Sequence, residues 1–191
     1  MQHEPLILAS ASPRREELLS RFALPFRIVP SRYDEESLDL PPEETVLYLA
    51  RCKAKEVATR ETGLIIAADT IVVLDGMILG KPINQDDARF MLQHLSGRCH
   101  RVLTGLVILE SPSGRVSEGI EVTSVWFRSL EEKELARYLA SGEYVDKAGS
   151  YAAQGMAAAF ISRIEGCYHN VIGLPLHLLD SMLRTFDLSL I

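Results

Sequence analysis

Several large protein classes need things this chain has little of. Its 191 residues include three cysteines, Cys52, Cys99 and Cys167. They are odd in number, far apart and form no CxxC pair, which speaks against a disulfide framework or a zinc site. They read as reduced thiols of a cytosolic protein. No apolar run approaches the roughly 18 residues that a membrane helix requires. The N-terminal MQHEPLILAS has no basic segment ahead of its short apolar run, so no signal peptide is expected and the cytoplasm is the expected compartment. Positive charge is in deficit: Lys and Arg total 20 against 26 Asp and Glu, a formal net charge of −6. That balance, with no basic stripe interleaved with aromatics, argues against a nucleic-acid partner. An anionic ligand would need a local cluster of cations. There is no internal repeat, low-complexity tract or long linker, and the length suits one domain over residues 1–191.

What is present is ordinary for a globular protein, with 47% apolar and 24% charged residues. Pro5 to Ser10 reads as a buried strand. Ser12 as N-cap and Pro13 at the first helical position open a helix reaching about Phe22. Phe26 to Val29 reads as a second strand, followed by the acidic loop Asp34-Glu35-Glu36. Pro42 starts a long helix in which Leu47, Ala50, Ala54, Val57 and Ala58 share one face, with Gly63 as its stop. Leu64 to Ala68 is a strand with no polar alternation, hence buried on both faces. Asp75-Gly76 signals a hairpin between Ile71–Leu74 and Met77–Leu79. Asn84 caps a helix that Gly97 ends. Val102 to Leu109 and Arg115 to Phe127 flank a Pro112-Ser113-Gly114 turn. Ser129 and Glu132 fit a capping box for a helix ending near Gly142. Ala157 to Ile164 reads as a strand, and Pro175 opens a terminal helix. The alternation predicts an α/β fold with a mixed sheet.

Five groups of residues stand out chemically. Ser10 and Ser12 with Arg14 and Arg15 lie at a strand-to-helix corner, where free N–H groups, hydroxyls and guanidinium groups suit a phosphate. Asp69-Thr70 follows a fully apolar strand, the place where open α/β sheets bind ligands; Asp69 there can hold a metal or orient a water. The acidic Asp34-Glu35-Glu36 offers hard oxygens to a divalent cation. Lys53 and Lys55 on the long helix, and Lys81 fixed before Pro82, are point charges for phosphate. In Ala148 to Gly155 (AGSYAAQG), small residues admit close approach of a flat ligand. Gln154 both donates and accepts, matching the imide edge of uracil or thymine.

Taken in order, LASASPRREELL (8–19), YDEE (33–36), LARCKA (49–54), IIAADTIV (65–72), LGKP (79–82), LSGRCHRVLTG (95–105), DKAGSYAAQG (146–155) and GCYHNVIGLPL (166–176) resemble the Maf family of nucleotide pyrophosphatases. The resemblance spans nearly the whole chain. It implies an elongated mixed β-sheet with flanking helices, similar to inosine-triphosphate pyrophosphatases. It also implies cleavage between the α and β phosphates, dependence on Mg2+ or Mn2+, and a homodimer. Carried over by position, Asp69 corresponds to the catalytic acceptor and Arg14, Thr70 and Gln154 to specificity positions. Arg15, Glu35, Lys53 and Lys81 fall where the family places polar groups around phosphate and metal, Glu35 on the metal. The Ala-Gly-x-Tyr then Gln-Gly pattern is similar to the branch acting on dTTP and UTP. Ala152-Ala153 and Met156-Ala157 depart from that branch's bulkier or glycine residues, which bears on preference among pyrimidines. The rival expectations are clearance of modified purines such as methylated GTP, and a non-catalytic regulator of septum formation.

Overall fold

The apolar run near the N-terminus is the strand β1 (Leu6–Leu8) in the computed structural model of the chain, which describes residues 5–34 and 38–191. Then follow α1 (Pro13–Leu19), β2 (Phe26–Ile28), α2 (Pro42–Ala58), β3 (Gly63–Leu74), β4 (Met77–Leu79), α3 (Gln85–Leu95), β5 (Cys99–Ser111), β6 (Val116–Phe127), α4 (Glu132–Ser141), β7 (Ile161–Glu165), α5 (Tyr168–Ile172) and α6 (Leu176–Leu183). The seven strands run in the order β2-β1-β3-β5-β6-β7, with β4 paired to β3. The sheet is mixed and open, flanked by helices, as the α/β expectation requires.

The chain forms two compact units: residues 1–69, 104–121 and 173–191, and residues 70–103 and 122–172. In the first, β1 lies parallel to both β2 and β3, with Leu6 opposite Phe26 and Leu64. Its core joins Ile7, Ala9, Ile65 and Ala67 of the strands to Ala50, Ala54 and Val57 of α2 and Val107 of β5. Alanines on α2 let the helix sit close. Gly105 of β5 lets it sit closer still, since a Cβ there would lie 2.4 Å from the Val46 carbonyl oxygen. In the second unit, Val72, Leu92, Leu95, Phe127, Tyr138, Tyr151 and Phe160 form a core rich in aromatic rings.

Four boundaries differ from expectation for identifiable reasons. Gly63 opens β3 instead of closing α2, because a Cβ at that residue (φ 142°) would strike the Pro5 carbonyl oxygen, to which Leu64 N–H donates. Asp69 and Thr70 lie inside β3, not beyond its end, since the apolar run resumes at once with Ile71–Leu74. The capping box at α4 is Glu131 with Glu134, not Ser129 with Glu132: Glu131 N–H donates to Glu134 at 2.9 Å, and Arg128 holds the same carboxylate. The stretch expected as one strand from Ala157 is a 3-10 turn, Met156–Phe160, followed by β7.

Candidate functional site

In the first unit, parallel pairing decides where the side chains arrive. β1 and β3 run side by side, so the chain leaving β1 at Ala9–Ser10 and the segment of β3 after Ile66 emerge at the same edge; Ala9 N–H still donates to the Ile66 carbonyl. Pairing of β3 with β1 ends at Ile66, and pairing with β4 begins at Val72. Asp69 and Thr70 therefore occupy the stretch of β3 between one neighbour and the other. Ligands gather where strand order changes, beyond the carboxyl ends of parallel strands.

Asp69 is a buried carboxylate, its side chain 9% exposed, in a strand otherwise apolar up to that point. An isolated charge there would be costly, and a partner is required. Lys53 of α2 supplies it, with Nζ 2.5 Å from Asp69 Oδ1. Lys55, two residues on and so turned well away around the helix, lines a cavity of about 390 Å³ with Val107, Leu109 and the ion pair Arg51–Glu118. The two lysines of α2 thus separate, and Lys53 alone of that pair meets Asp69.

At the β1–α1 corner, Ser12 occupies the N-cap position, yet its hydroxyl makes no capping bond and α1 is seven residues long. Ser12 N–H instead donates to Ser10 Oγ at 3.1 Å. Arg15 Nη1 donates to the same oxygen at 3.3 Å, and Arg15 Nε to the Gly173 carbonyl at 2.7 Å. Arg15 is thereby pinned across the corner, with Ser10 Oγ accepting from both Ser12 and Arg15. Arg14 is half-buried, and burial draws its pKa below the usual guanidinium value. Such a group gains from an arriving anion.

Glu35 and Glu36 lie outside the described residues. Just before them, Arg32 N–H donates to Glu56 Oε2 at 2.9 Å, and the neighbouring Cys52 side chain, next to Lys53, together with burial pushes the Tyr33 phenol up to about 12. Among the described residues no three His, Cys, Asp or Glu side chains gather into a metal cage. Magnesium commonly takes only one or two carboxylates and completes its shell with water and phosphate oxygens. Asp69 is a donor of that hard-oxygen kind.

In the second unit, Thr70 is half-buried, and Lys81 and Gln154 are exposed. The loops bearing the last two are joined, because Gly149 N–H donates to the Gly80 carbonyl at 3.0 Å. Gly149 has φ 64°, and a Cβ there would touch three Val72 carbons at 3.0 Å, which explains the glycine of AGSY. Tyr138 donates to the Ser150 carbonyl at 3.0 Å. Tyr151 is buried, its hydroxyl 2.8 Å from His100 Nε2 and its ring edge-on to Phe127. Burial lowers the His100 pKa to about 4, so the ring is neutral at pH 7. Sequence reasoning singled out neither His100 nor the Gly173 carbonyl. A polar residue at a core position of β5 was the available signal for the first; a main-chain acceptor leaves none.

The profile of the family described as Maf-like protein matches residues 5–186. A dTTP/UTP pyrophosphatase of Carboxydothermus hydrogenoformans is 48% identical over 180 residues, covering 94% of this chain and 97% of that protein. One from Caldicellulosiruptor bescii is 46% identical over 192 residues, covering 97% and 96% respectively. One from Thermococcus gammatolerans is 47% identical over 174 residues, covering 91% and 92%.

Proposed function

The chain belongs to the Maf family, and from that premise we propose that it hydrolyses dTTP and UTP to the nucleoside monophosphate and pyrophosphate. The observation that carries the reading is the buried Lys53–Asp69 pair at the edge where β1 ends and β3 runs on past it. A carboxylate held in that place by an ammonium group is oriented, as a general base must be.

Asp69 accepts a proton from a water molecule, whose oxygen attacks the α-phosphorus. The bond from that phosphorus to the bridging oxygen breaks, and pyrophosphate leaves. Ser10, Ser12, Arg14, Arg15, Lys53 and Lys81 supply donors and positive charge to phosphate oxygens, where charge builds in the transition state. Thr70, Arg14 and Gln154 act in specificity, Gln154 matching one donor and one acceptor to the imide edge of the base. A bound Mg2+ or Mn2+, held through Glu35 and phosphate oxygens, would neutralise phosphate charge. The donor chemistry of Asp69 fits such an ion. Among the described residues no helix is long and apolar enough to cross a membrane. The cytoplasm as compartment rests on the N-terminal segment and the lack of a long apolar run, and a homodimer as the assembled state rests on the family resemblance.

The test is pyrophosphate release from dTTP, UTP, CTP and methylated GTP, with and without Mg2+ or Mn2+. Metal-dependent release that favours dTTP and UTP supports the reading. Preference for methylated GTP, or no release from any triphosphate, rejects it.

A further inference from the structure

Glu143 has no part in the chemistry above, yet its carboxylate is embedded in the loop that carries Gln154. It follows Gly142, the left-handed residue (φ 72°) that ends α4. Its own N–H donates to Ser141 Oγ at 3.2 Å, which fixes the start of the side chain. One carboxylate oxygen accepts the Met156 N–H at 2.8 Å and the other the Ala157 N–H at 3.3 Å. These are the first N–H groups of the 3-10 turn Met156–Phe160, which lack partners within the turn. A carboxylate in that place satisfies two donors at once with charge-assisted bonds.

The same carboxylate covers Gly155. A Cβ at Gly155 would lie 2.3 Å from its carbon and both its oxygens. The glycine thus leaves room for this carboxylate and is not called for by its backbone, whose φ of −106° any residue adopts. Gln154 immediately precedes it, in a turn closed by Gly155 N–H donating to the Ala152 carbonyl at 3.2 Å. The loop is tied on its other side by Tyr138 to Ser150 and by Tyr151 to His100. From Ala152 to Ala157, Glu143 is the side chain that holds the exit of the turn.

We propose that Glu143 is a positioning residue for base recognition, its carboxylate clamping residues 155–157 so that Gln154 presents its amide in one fixed orientation. The proposal rests on the reading of Gln154 as the group that meets the base. An amide free to turn loses the direction of its donor and acceptor, and the hydrogen bond it would form weakens.

Two variants release the clamp by different routes. Glu143→Ala removes the carboxylate. Gly155→Ala leaves it in the sequence but displaces it, and the displaced atoms are the far end of a flexible side chain, so the fold survives. Glu143→Gln keeps an acceptor and serves as the rescue. The measurements are kcat and KM for dTTP, UTP and CTP, with thermal unfolding alongside, and with Gln154→Glu in parallel. Both releasing variants are expected to raise KM for dTTP and UTP about tenfold, the size of one lost hydrogen bond. They should keep kcat within about twofold and narrow the kcat/KM ratio of UTP to CTP, whereas Glu143→Gln stays nearer to the parent. If Gln154→Glu shifts the base ratio while Glu143→Ala and Gly155→Ala leave it and KM unchanged, the clamp is overturned and the reading of Gln154 stands. If Gln154→Glu itself leaves the base ratio unchanged, the reading of Gln154 fails and the clamp falls with it. Unchanged KM with lowered unfolding temperature would assign Glu143 a structural role only and likewise overturn the proposal.

Discussion

Lys53 Nζ lies 2.5 Å from Asp69 Oδ1, with the two side chains 13% and 9% exposed. A contact this enclosed is worth more in what its loss would cost than in net stability, because each charge was stripped of water to make it. Lys53→Met removes the cation and leaves a buried carboxylate behind. The expected loss is about 3 kcal/mol, within the range for breaking a buried pair from one side. Urea unfolding of the variant against the parent measures it; a loss under about 1 kcal/mol would show the pair to be as weak as an exposed one. Turnover should fall as well, since Asp69 loses the group that orients it.

Gly105 tests whether the approach of α2 to β5 matters to this pair. Its Cβ would stand 2.4 Å from Val46 O and 2.5 Å from Val46 C, which are main-chain atoms of the helix that carries Lys53. They cannot rotate away, so Gly105→Ala must push the helix outward. Overpacking of this kind costs about 1–3 kcal/mol. Calorimetry should give a lowered melting temperature, and pyrophosphate release should fall by more than the loss of folded protein explains. Parent-like values in both assays would show that the helix yields without consequence.

His100 makes stability depend on pH. Burial lowers its folded-state pKa to about 4 from the usual 6.5. The unfolded chain therefore binds the proton more readily between those values, and stability falls as pH falls from 6.5 towards 4. Above 6.5 the ring is neutral in both states and the contribution is complete. The loss by pH 4 is on the order of 3 kcal/mol. His100→Gln has no such proton, and its amide can still meet the Tyr151 hydroxyl. Denaturant unfolding at pH 7 and pH 5 should show a smaller drop for the variant than for the parent; equal drops would place the titration elsewhere.

Much of the site could be read along the chain because its residues interrupt strong local patterns. Asp69 ends the run Leu64–Ala68, and Lys81 precedes a proline. What stayed hidden depended on pairing. That β3 continues through Asp69 follows from β4 taking up the strand after β1, and no local pattern reports a change of neighbour. That Lys53 and not Lys55 meets Asp69 depends on how α2 is rotated against the sheet. At α4, Ser129 with Glu132 and Glu131 with Glu134 have the same spacing; Arg128, bound to Glu134, favours the second. The strand expected from Ala157 begins only at Ile161, because a short apolar run suits a strand or a helical turn equally and Glu143 satisfies the N–H groups that begin the turn.

The most direct measurement is the turnover of Asp69→Asn on dTTP and UTP, with circular dichroism to confirm folding. The change keeps the shape of the side chain and an acceptor for Lys53 but removes the negative charge that takes the proton. Turnover is expected to drop by about 10²-fold or more, the usual cost of losing a general base. Turnover within a few-fold of the parent, in a folded variant, would contradict the role given to Asp69 and the reaction built on it.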